Sequence, residues 1–377
     1  MNIIYEMITR RLLATGGSTR KEIAAQTRLS PVTVHRYLQR MLKNGSIERA
    51  GEIRPRTGRP AEIYRAVTAA RDLPVMYVSP TAVTSGVYRP GKGLSHRKST
   101  ALPASLDRKK TLSVIRREGQ ALMKRCNELP AIATTGYVDS PADVHMFIEQ
   151  GWDTPADLAS LFPNGQNLYV ENDAFAACWG EQVEGVARGE KDYVYINYSR
   201  GIGLAAVMGG RLNRGATGRA SDLENVVIDP AGPVGAAGVR GTLGAYIAPA
   251  VIEAQVSQAV KNGTRTSLSH KSGIAEMLNA AARGDALAEG IVRSIGERLG
   301  DVLVTLCGLF DPSLIVLGGH LPLAEKVVRK GIEISWKRRP PHFGTYTPRI
   351  AASALGEDGI LMGVGDLLFK RSLDSTA

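Results

Sequence analysis

Residues 19–38 contain two helix-start signals eleven positions apart. Thr19 followed by Glu22 is a capping box, in which the two residues exchange side chain-to-backbone hydrogen bonds. Ser30 followed by Pro31 marks a second start, because serine caps helices and proline tolerates the first helical position. Two short helices joined by so tight a turn are the layout of a helix-turn-helix.

The second helix of this pair has an apolar stripe and a polar side. The apolar positions are Val34, Leu38, Met41 and Leu42. The polar side is predicted to present Thr33, His35, Arg36, Tyr37, Gln39, Arg40 and Lys43. A helix with hydrogen-bonding and cationic groups beside its N-terminus suits the major groove of DNA. The same spacing is also typical of an ordinary amphipathic helix on a protein surface.

Position along this helix separates two kinds of predicted DNA contact. Residues early on a recognition helix lie nearest to base edges, whereas phosphate contacts position the protein without specifying sequence. The residues predicted to lie in or near the major groove are Pro31, Thr33, His35, Arg36 and Arg40. Lys21 and Lys43 are predicted to contact phosphates.

The surrounding sequence completes a winged helix over residues 1–70. An apolar stripe containing Ile8 and Leu12 predicts an opening helix, and residues 47–50 and 62–67 predict two strands. The segment between these strands, 54–60, is rich in Arg, Pro and Gly. Arg56 and Arg59 in this wing are predicted to enter a minor groove, and the alternative is a solvated basic turn.

The formal charge of +11 is unevenly distributed over the 377 residues. Residues 1–71 contain 14 Lys and Arg against 5 Asp and Glu, and residues 72–125 contain 11 against 3. Residues 126–377 contain 22 against 28. A basic front and an acidic remainder are typical of a phosphate-binding module joined to a small-molecule domain. The basic stretch from Arg89 to Arg125 is predicted to be a hairpin loop and an amphipathic helix, either a solvated face or an extension of the phosphate-contacting surface.

Three cysteines, far apart in sequence, exclude a CxxC zinc ribbon and a disulfide framework. The N-terminal residues lack the apolar run of a secretory signal, and the apolar stretch 302–317 is interrupted by Asp311 and Pro312. We therefore expect a cytoplasmic protein without a membrane partner.

From residue 72 onward, strand-like runs alternate with helical stretches, which predicts an α/β body. Segments 131–134, 192–198 and 314–317 are examples of the strands, and 286–306 of the helices. We expect a winged helix in 1–70, a first α/β lobe in 71–180 joined by a C-terminal helix at 356–377, and a second lobe in 181–355. The second lobe is expected to bind an effector and to mediate oligomerisation.

Several motifs occur in the order found in one family. These are Glu-Asn-Asp-Ala at 171–174, Gly-Ile-Gly at 201–203, Gly-Gly-Arg-Leu at 209–212 and Leu-Gly-Gly at 317–319. Together they resemble the ROK family of sugar kinases and sugar-responsive repressors. The resemblance implies a two-lobed sugar-kinase-type domain of the actin-like ATPase (ribonuclease H-like) fold. Thr-Gly-Arg-Pro at 57–60 is similar to the wing of the family's repressor branch.

One departure from the family concerns the phosphate loop. Kinases of the family open with a D-x-G-G-T loop, whose glycine N–H groups surround phosphate. The matching stretch is Ser79-Pro80-Thr81-Ala82, which lacks both the glycines and the carboxylate. Asp173 matches the kinases' catalytic base, but phosphoryl transfer depends on positioning and charge neutralisation. We therefore expect no enzyme activity, no catalytic residue and no cofactor.

A second departure concerns zinc and sugar. The family's zinc-binding cysteines are absent after Ala220, and Asn225 stands at the position of the metal-binding histidine, so no metal is expected. Asp222 replaces the family's sugar-contacting glutamate. The predicted effector-binding residues are Asn172, Asp173, Asp222 and Asn225, whose side chains can bond the hydroxyls of a diol. Asn172 and Asp173 also precede a predicted helix, so the alternative for them is a cap.

Together these features predict a transcriptional regulator, a repressor of carbohydrate-related genes, with a catalytically inactive effector domain. Its expected partners are a double-stranded DNA operator, a sugar or sugar derivative, and further copies of the chain in a homodimer or dimer of dimers. Two alternatives stay open at this point. One is an active sugar kinase with a DNA-binding module, and the other is a DNA-binding protein without a ligand.

Overall fold

The computed structural model describes residues 3–43, 45–53, 60–66, 72–103, 105, 107–140, 143–146, 152, 154–220, 222–338 and 347–374. The chain divides into two compact units. Unit 1 comprises Met1–Thr134, Ser140–Glu171 and Val364–Ala377, and unit 2 comprises Thr135–Asp139 and Asn172–Gly363. Among the described residues, no helix is long and apolar enough to cross a membrane.

Unit 1 begins with the predicted winged helix. Its elements are α1 (Ile3–Thr15), β1 (Ser18–Thr19), α2 (Arg20–Thr27), α3 (Pro31–Lys43), β2 (Ile47–Ile53) and β3 (Ala61–Ala66). The strands form an antiparallel sheet in the order β1-β3-β2. The three helices contact one another around fully buried side chains that include Ile8, Ile23 and Leu38.

Both predicted helix starts are confirmed. The Thr19 hydroxyl accepts the Glu22 N–H at 3.3 Å, and the Glu22 carboxylate accepts the Thr19 N–H at 2.8 Å. The Ser30 hydroxyl accepts the Thr33 N–H at 3.1 Å at the start of α3. Arg28, with a φ of 55°, ends α2 in the left-handed conformation and so permits the tight turn.

The chain then alternates strands and helices, as predicted. The next elements are β4 (Leu73–Val78), β5 (Ala82–Arg89), β6 (Gly93–Ala101), α4 (Arg108–Cys126), β7 (Ala131–Thr134), β8 (Tyr137–Ser140), β9 (Asp143–His145) and β10 (Tyr169–Asn172). Five strands form one sheet in the order β10-β7-β4-β5-β6. Strand β4 is buried along its whole length, and α4 packs against β4 and β5.

The predicted hairpin loop after Arg89 is confirmed at residues 90–92, but the prediction misses the strand that follows it, because residues 93–101 form strand β6 at the edge of the sheet. Most of its side chains are exposed on both faces of the strand. A strand with two solvated faces lacks the alternation of apolar and polar residues by which strands are predicted. The helix predicted after it is confirmed as α4.

Unit 2 contains a second mixed sheet covered by helices. Its elements are α5 (Asp173–Val183), β11 (Tyr193–Tyr198), β12 (Ile202–Met208), β13 (Arg211–Asn213), α6 (Leu243–Ile247), α7 (Pro249–Lys261), α8 (Ile274–Ala282), α9 (Ala286–Phe310), β14 (Leu314–Gly319), α10 (Glu325–Arg338), β15 (Arg349–Ala352) and the first part of α11 (Gly356–Asp374). The strand order is β13-β12-β11-β14-β15. Ile196, Leu317 and Ile295 are fully buried in its core.

The second part of α11 belongs to unit 1, where it bonds to the winged helix. Both carboxylate oxygens of Asp366 accept hydrogen bonds from the Arg10 guanidinium of α1. The hydroxyl of Tyr88, at the end of β5, donates to the same carboxylate at 2.9 Å. The Asp366 side chain is 0% exposed, so this buried cluster fixes α1 to α11 and to the end of β5.

Candidate nucleic-acid interface and effector site

Helix α3 presents the predicted groove residues on one exposed side. Pro31, His35, Arg36 and Arg40 are exposed, and Thr33 is half-buried beside Ser30. Val34, Leu38 and Met41 are fully buried on the opposite side, as the apolar stripe predicts. The fold therefore gathers hydroxyl, imidazole and guanidinium groups on the first turns of one helix, where base edges can be reached.

The sequence prediction is wrong for Tyr37. We expect it on the polar side, but its side chain is only 6% exposed. It lies three residues after Val34 and therefore shares the buried stripe. The Arg36 and Arg40 guanidinium carbons lie 5.5 and 5.9 Å from the centre of its ring. Tyr37 thus stabilises the side chains of the two arginines through cation–π contacts with its ring.

Helix α2 contributes a second part of the surface. Arg20 and Lys21 are exposed, and with Leu29 and Pro31 they line an open depression of about 530 Å³ beside the start of α3. The Arg20 guanidinium lies 3.5 Å from the His35 ring. Two exposed cations at the edge of a depression suit a phosphate of the duplex backbone. Lys21 is predicted from the sequence as a DNA contact, whereas Arg20 is not, although the two are adjacent.

Val32 is a further residue that the sequence analysis misses. It occupies the second position of α3 and its side chain is 79% exposed. A large apolar side chain at this position of a recognition helix can contact a thymine methyl group. The signal in the sequence is an apolar residue outside the 34/38/41 stripe. Arg56 and Arg59 of the predicted wing lie outside the described residues.

Asn172 and Asp173 lie at the start of α5 in unit 2 and are 8% and 6% exposed. The Asn172 side-chain oxygen Oδ1 accepts the N–H groups of Ala174 and Phe175 at 2.9 and 3.2 Å, and its side-chain Nδ2 donates to the Gly136 carbonyl at 2.8 Å. Of the two roles that the sequence leaves open for Asn172, the cap is therefore confirmed. The other predicted role stays a prediction.

Asp222 and Asn225 form a second pair on an exposed loop. The Asp222 carboxylate accepts the Asn225 amide at 2.9 Å and the Tyr137 hydroxyl at 3.2 Å. Burial and the Asp222 charge raise the pKa of Tyr137 to about 12, so the phenol stays protonated and donates. Arg219 lies over the Tyr137 ring at 5.4 Å. The sequence analysis misses Tyr137 and Arg219, since neither belongs to a recognised motif.

In unit 2, the Asn172–Asp173 pair and the Asp222–Asn225 pair contact the same neighbouring residues. Gly136 accepts from Asn172, and the next residue, Tyr137, donates to Asp222. Gly203 of β12 forms a backbone bridge with Asp222, and a Cβ added to it would lie 3.3 Å from the Ala174 Cβ. Unit 2 therefore brings the four predicted effector residues around one strand and one loop. Carboxylate, amide and phenol groups grouped in this way can bond a polyhydroxylated ligand.

Ser79-Pro80-Thr81-Ala82, the stretch predicted to match the phosphate loop, forms a closed turn in unit 1. The Ser79 hydroxyl accepts the N–H groups of Thr81 and Ala82 at 3.3 and 3.1 Å, and the Ser79 N–H donates to the Ala82 carbonyl at 2.9 Å. Residue 80 is proline and has no N–H. The backbone donors of this turn are therefore used within the turn itself.

The loop that matches the family's zinc segment is stabilised by hydrogen bonds. Bridges join Val227 to Thr242 and Val234 to Arg240. The Asp229 carboxylate accepts the Tyr246 hydroxyl at 2.6 Å. Backbone bridges and a side-chain hydrogen bond thus stabilise the conformation of this loop.

Two family models match the chain. The ROK family model covers residues 108–371, and a winged helix-turn-helix DNA-binding model covers residues 6–48. The second match includes α2 and α3, which carry the exposed groups described above.

Similar proteins include enzymes and regulators. The chain is 33% identical over 204 residues to a bifunctional enzyme NanE/NanK of Brucella suis. The matched segment covers 54% of the chain and 35% of that enzyme. The chain thus matches about a third of the length of that relative. It is 25% identical over 340 residues to the DNA-binding transcriptional dual regulator NagC of Escherichia coli, covering 84% of the chain and 80% of the regulator.

Solved structures share the fold. A ROK family transcriptional regulator, a homologue of the Escherichia coli Mlc protein, superposes with a TM-score of 0.77 at 20% identity over 99% of the chain and 97% of its own. A ROK family glucokinase from Streptomyces griseus superposes with a TM-score of 0.65 at 24% identity over 78% of the chain and 98% of its own. Because the ROK family model matches residues 108–371, more than half of the chain, the chain belongs to the ROK family, and residues 6–48 form a winged helix-turn-helix.

Proposed function

We propose that the protein is a cytoplasmic DNA-binding transcriptional regulator, a repressor of carbohydrate-related genes. The observation that supports this most directly is the exposed side of α3, with His35, Arg36 and Arg40, in a winged helix joined to a ROK domain. The similarity to NagC over 84% of the chain supports the same combination of module and body. One small module contacts too few base pairs for specificity, so we propose a homodimer or dimer of dimers on two half-sites.

We further propose that the ROK domain binds a sugar or sugar derivative without phosphorylating it. The closed turn at Ser79 supports this, because a kinase needs backbone donors and a metal-facing carboxylate around the transferred phosphate. The proposed effector contacts are Asn172, Asp173, Asp222 and Asn225, with Tyr137 beside them. A ligand that binds one arrangement of the protein better than another shifts the equilibrium between them and thereby DNA affinity.

Arg36→Ala tests the proposed DNA contact. We expect affinity for the operator to fall by about 1–3 kcal/mol, with relaxed base preference, because an arginine early on the recognition helix bonds base edges. The operator is first selected from genomic fragments, and binding is then measured by fluorescence anisotropy on operator and random duplexes. Arg188→Ala, a substitution of another exposed arginine in unit 2, is the matched control and should bind like wild type.

Two results would contradict this prediction. Unchanged affinity of Arg36→Ala would remove α3 from the DNA contact. An equal loss on operator and random duplexes would place Arg36 on a phosphate and leave the specificity to other residues.

Binding without turnover tests the proposed effector domain. With a panel of hexoses and amino sugars, we expect at least one compound to raise the melting temperature, since a ligand of the native state stabilises it by mass action. The same panel with ATP and Mg²⁺ should give no stoichiometric ADP in a coupled assay. Turnover would establish the kinase alternative, and a panel without any thermal shift would favour a ligand-independent DNA-binding protein.

A further inference from the structure

Strand β6 and helix α4 of unit 1 form one basic surface. The surface, named the β6–α4 face, consists of the exposed residues Lys92, His96, Lys98, Arg117, Lys124 and Arg125. Contacts between the two elements hold it together. The Arg125 guanidinium lies 2.6 Å from the His96 ring, and the Lys98 ammonium lies 2.7 Å from the Glu118 carboxylate.

The face lies in a strongly basic stretch of the chain, and its charge is only partly balanced by its own contacts. Residues 89–125 contain 11 Lys and Arg against 2 Asp and Glu. Glu118 is buried and already lies within 3.0 Å of both Lys98 and Arg117. Cations in the last turn of α4 interact favourably with the helix dipole, but Lys92 is in the turn before β6 and gains nothing from it. Exposed cations packed this densely attract an extended anion such as a phosphate backbone.

A β-bulge gives the face its shape. The pairing of β5 and β6 shifts register between Ser85 and Val87, and His96 has a φ of 53°, which is uncommon for a residue other than glycine. Gly86 permits the bulge, because a Cβ there would lie 2.9 Å from the Leu94 side chain. The bulge brings His96 to Arg125 and distorts the outer edge of the sheet. A distorted, charged edge is unsuited to pairing with another strand, so the face suits an ionic ligand.

The face lies at the winged-helix end of the unit-1 sheet. Strand β5 ends at Arg89, where Tyr88 donates to Asp366, which binds Arg10 of α1. Arg89 also pairs with Asp72 at 2.6 Å, and Asp72 is the first described residue after β3. Lys92 lies three residues after Arg89, in the turn before β6. Arg125, at the end of α4, reaches the same end of the sheet through His96.

We propose that the β6–α4 face is a second contact surface for duplex DNA, which binds the phosphates flanking the segment read by α3. The inference rests on the proposed function and extends it. Five of the six residues of the face are cations, which contact phosphates rather than bases, so we expect its contribution to be independent of sequence and sensitive to salt.

The test compares operator duplexes with and without about two helical turns of flanking DNA on each side. The variant is Lys92→Glu with Lys124→Glu, which leaves the His96–Arg125 and Lys98–Glu118 contacts in place. The matched control is Lys271→Glu with Lys330→Glu, an equal charge change at exposed positions of unit 2. Binding of the full chain is measured by anisotropy over a range of salt concentrations.

On the long duplex, we expect the variant to bind about 10- to 100-fold more weakly, with the slope of log K against log salt smaller by about 2. On the short duplex, variant and wild type should bind alike, and the control should match wild type on both. Equal affinities and slopes on the long duplex would overturn the proposal. An equal loss in the control would overturn it too, by assigning the effect to net charge.

The outcomes also separate this proposal from the proposed function. If the variant binds like wild type while Arg36→Ala still loses operator affinity, only the second surface is disproved. If wild type binds neither duplex, the regulator proposal fails and the second surface with it. Wild-type binding to phosphatidylglycerol vesicles that the variant loses, with DNA binding unchanged, would reassign the face to an anionic membrane surface and overturn the proposal.

Discussion

Asp366→Ala is expected to lower the free energy of unfolding by about 3 kcal/mol, because it removes a wholly buried carboxylate that accepts from the Arg10 guanidinium, whose side chain is itself 29% exposed. The Asp366 side chain is 0% exposed and binds both Arg10 and Tyr88. Glu6, which also accepts from Arg10 at 2.7 Å, keeps part of the charge balanced. The measurement is urea denaturation of the full chain followed by circular dichroism.

Two further variants show whether the effect arises from the buried pair. Lys370→Ala removes an ion pair between α11 and Glu6 of α1 and should cost less than Asp366→Ala, since neither side chain of that pair is wholly buried. Arg10→Met combined with Asp366→Leu replaces both charges by apolar groups and should recover most of the lost stability. A loss below about 1 kcal/mol in Asp366→Ala would contradict this account of the cluster.

The winged helix could be predicted because its signals are local. The capping box at Thr19 and the Ser30-Pro31 start depend on residues within one turn, and both are confirmed. The sequence prediction places Tyr37 on the wrong side because a single helical period cannot distinguish a polar tyrosine from one whose ring is buried. The two arginines above its ring depend on that burial.

Contacts between distant segments could not be predicted. Arg10 and Asp366 are 356 residues apart, and each alone resembles a solvated charge on an amphipathic helix. Tyr137 is equally inconspicuous in the sequence, and its contact with Asp222 depends on a loop 85 residues away. Strand β6 is hidden for a different reason, since an edge strand with two exposed faces has no apolar period.

The predicted effector residues show which features of the site the sequence motifs could predict. The motif at 171–174 indicates both a helix start and a ligand contact, and only the first is local enough to be read from sequence. The structure adds that the Asn172 side-chain Nδ2 is bonded to Gly136 and the Asn172 side-chain oxygen Oδ1 to two N–H groups of α5. An effector that bonds Asn172 therefore has to share these groups, whereas Asp222 is exposed on its loop.

Helix α5, which begins with these residues, is held by an unusually close helix contact in unit 2. A Cβ added to Gly363 of α11 would lie 1.8 Å from the Ala176 carbonyl oxygen. A Cβ added to Gly180 would lie 2.0 Å from the Gly359 carbonyl oxygen. Glycine is required at both positions because backbone atoms, which cannot rotate away, occupy the space of a side chain.

Gly363→Ala is therefore expected to lower the free energy of unfolding by about 3 kcal/mol, as overpacking forces α5 and α11 apart. Because α5 carries Asn172 and Asp173 at its start, the variant should also lose the thermal shift produced by the effector. The matched control is Gly290→Ala in α9, where an added Cβ meets nothing within 4 Å. The same substitution should there raise stability by up to about 1 kcal/mol, since alanine favours helices over glycine. Gly363→Ala with the stability of Gly290→Ala would mean that the two helices do not meet at their glycines, and the position of α5 would need another explanation.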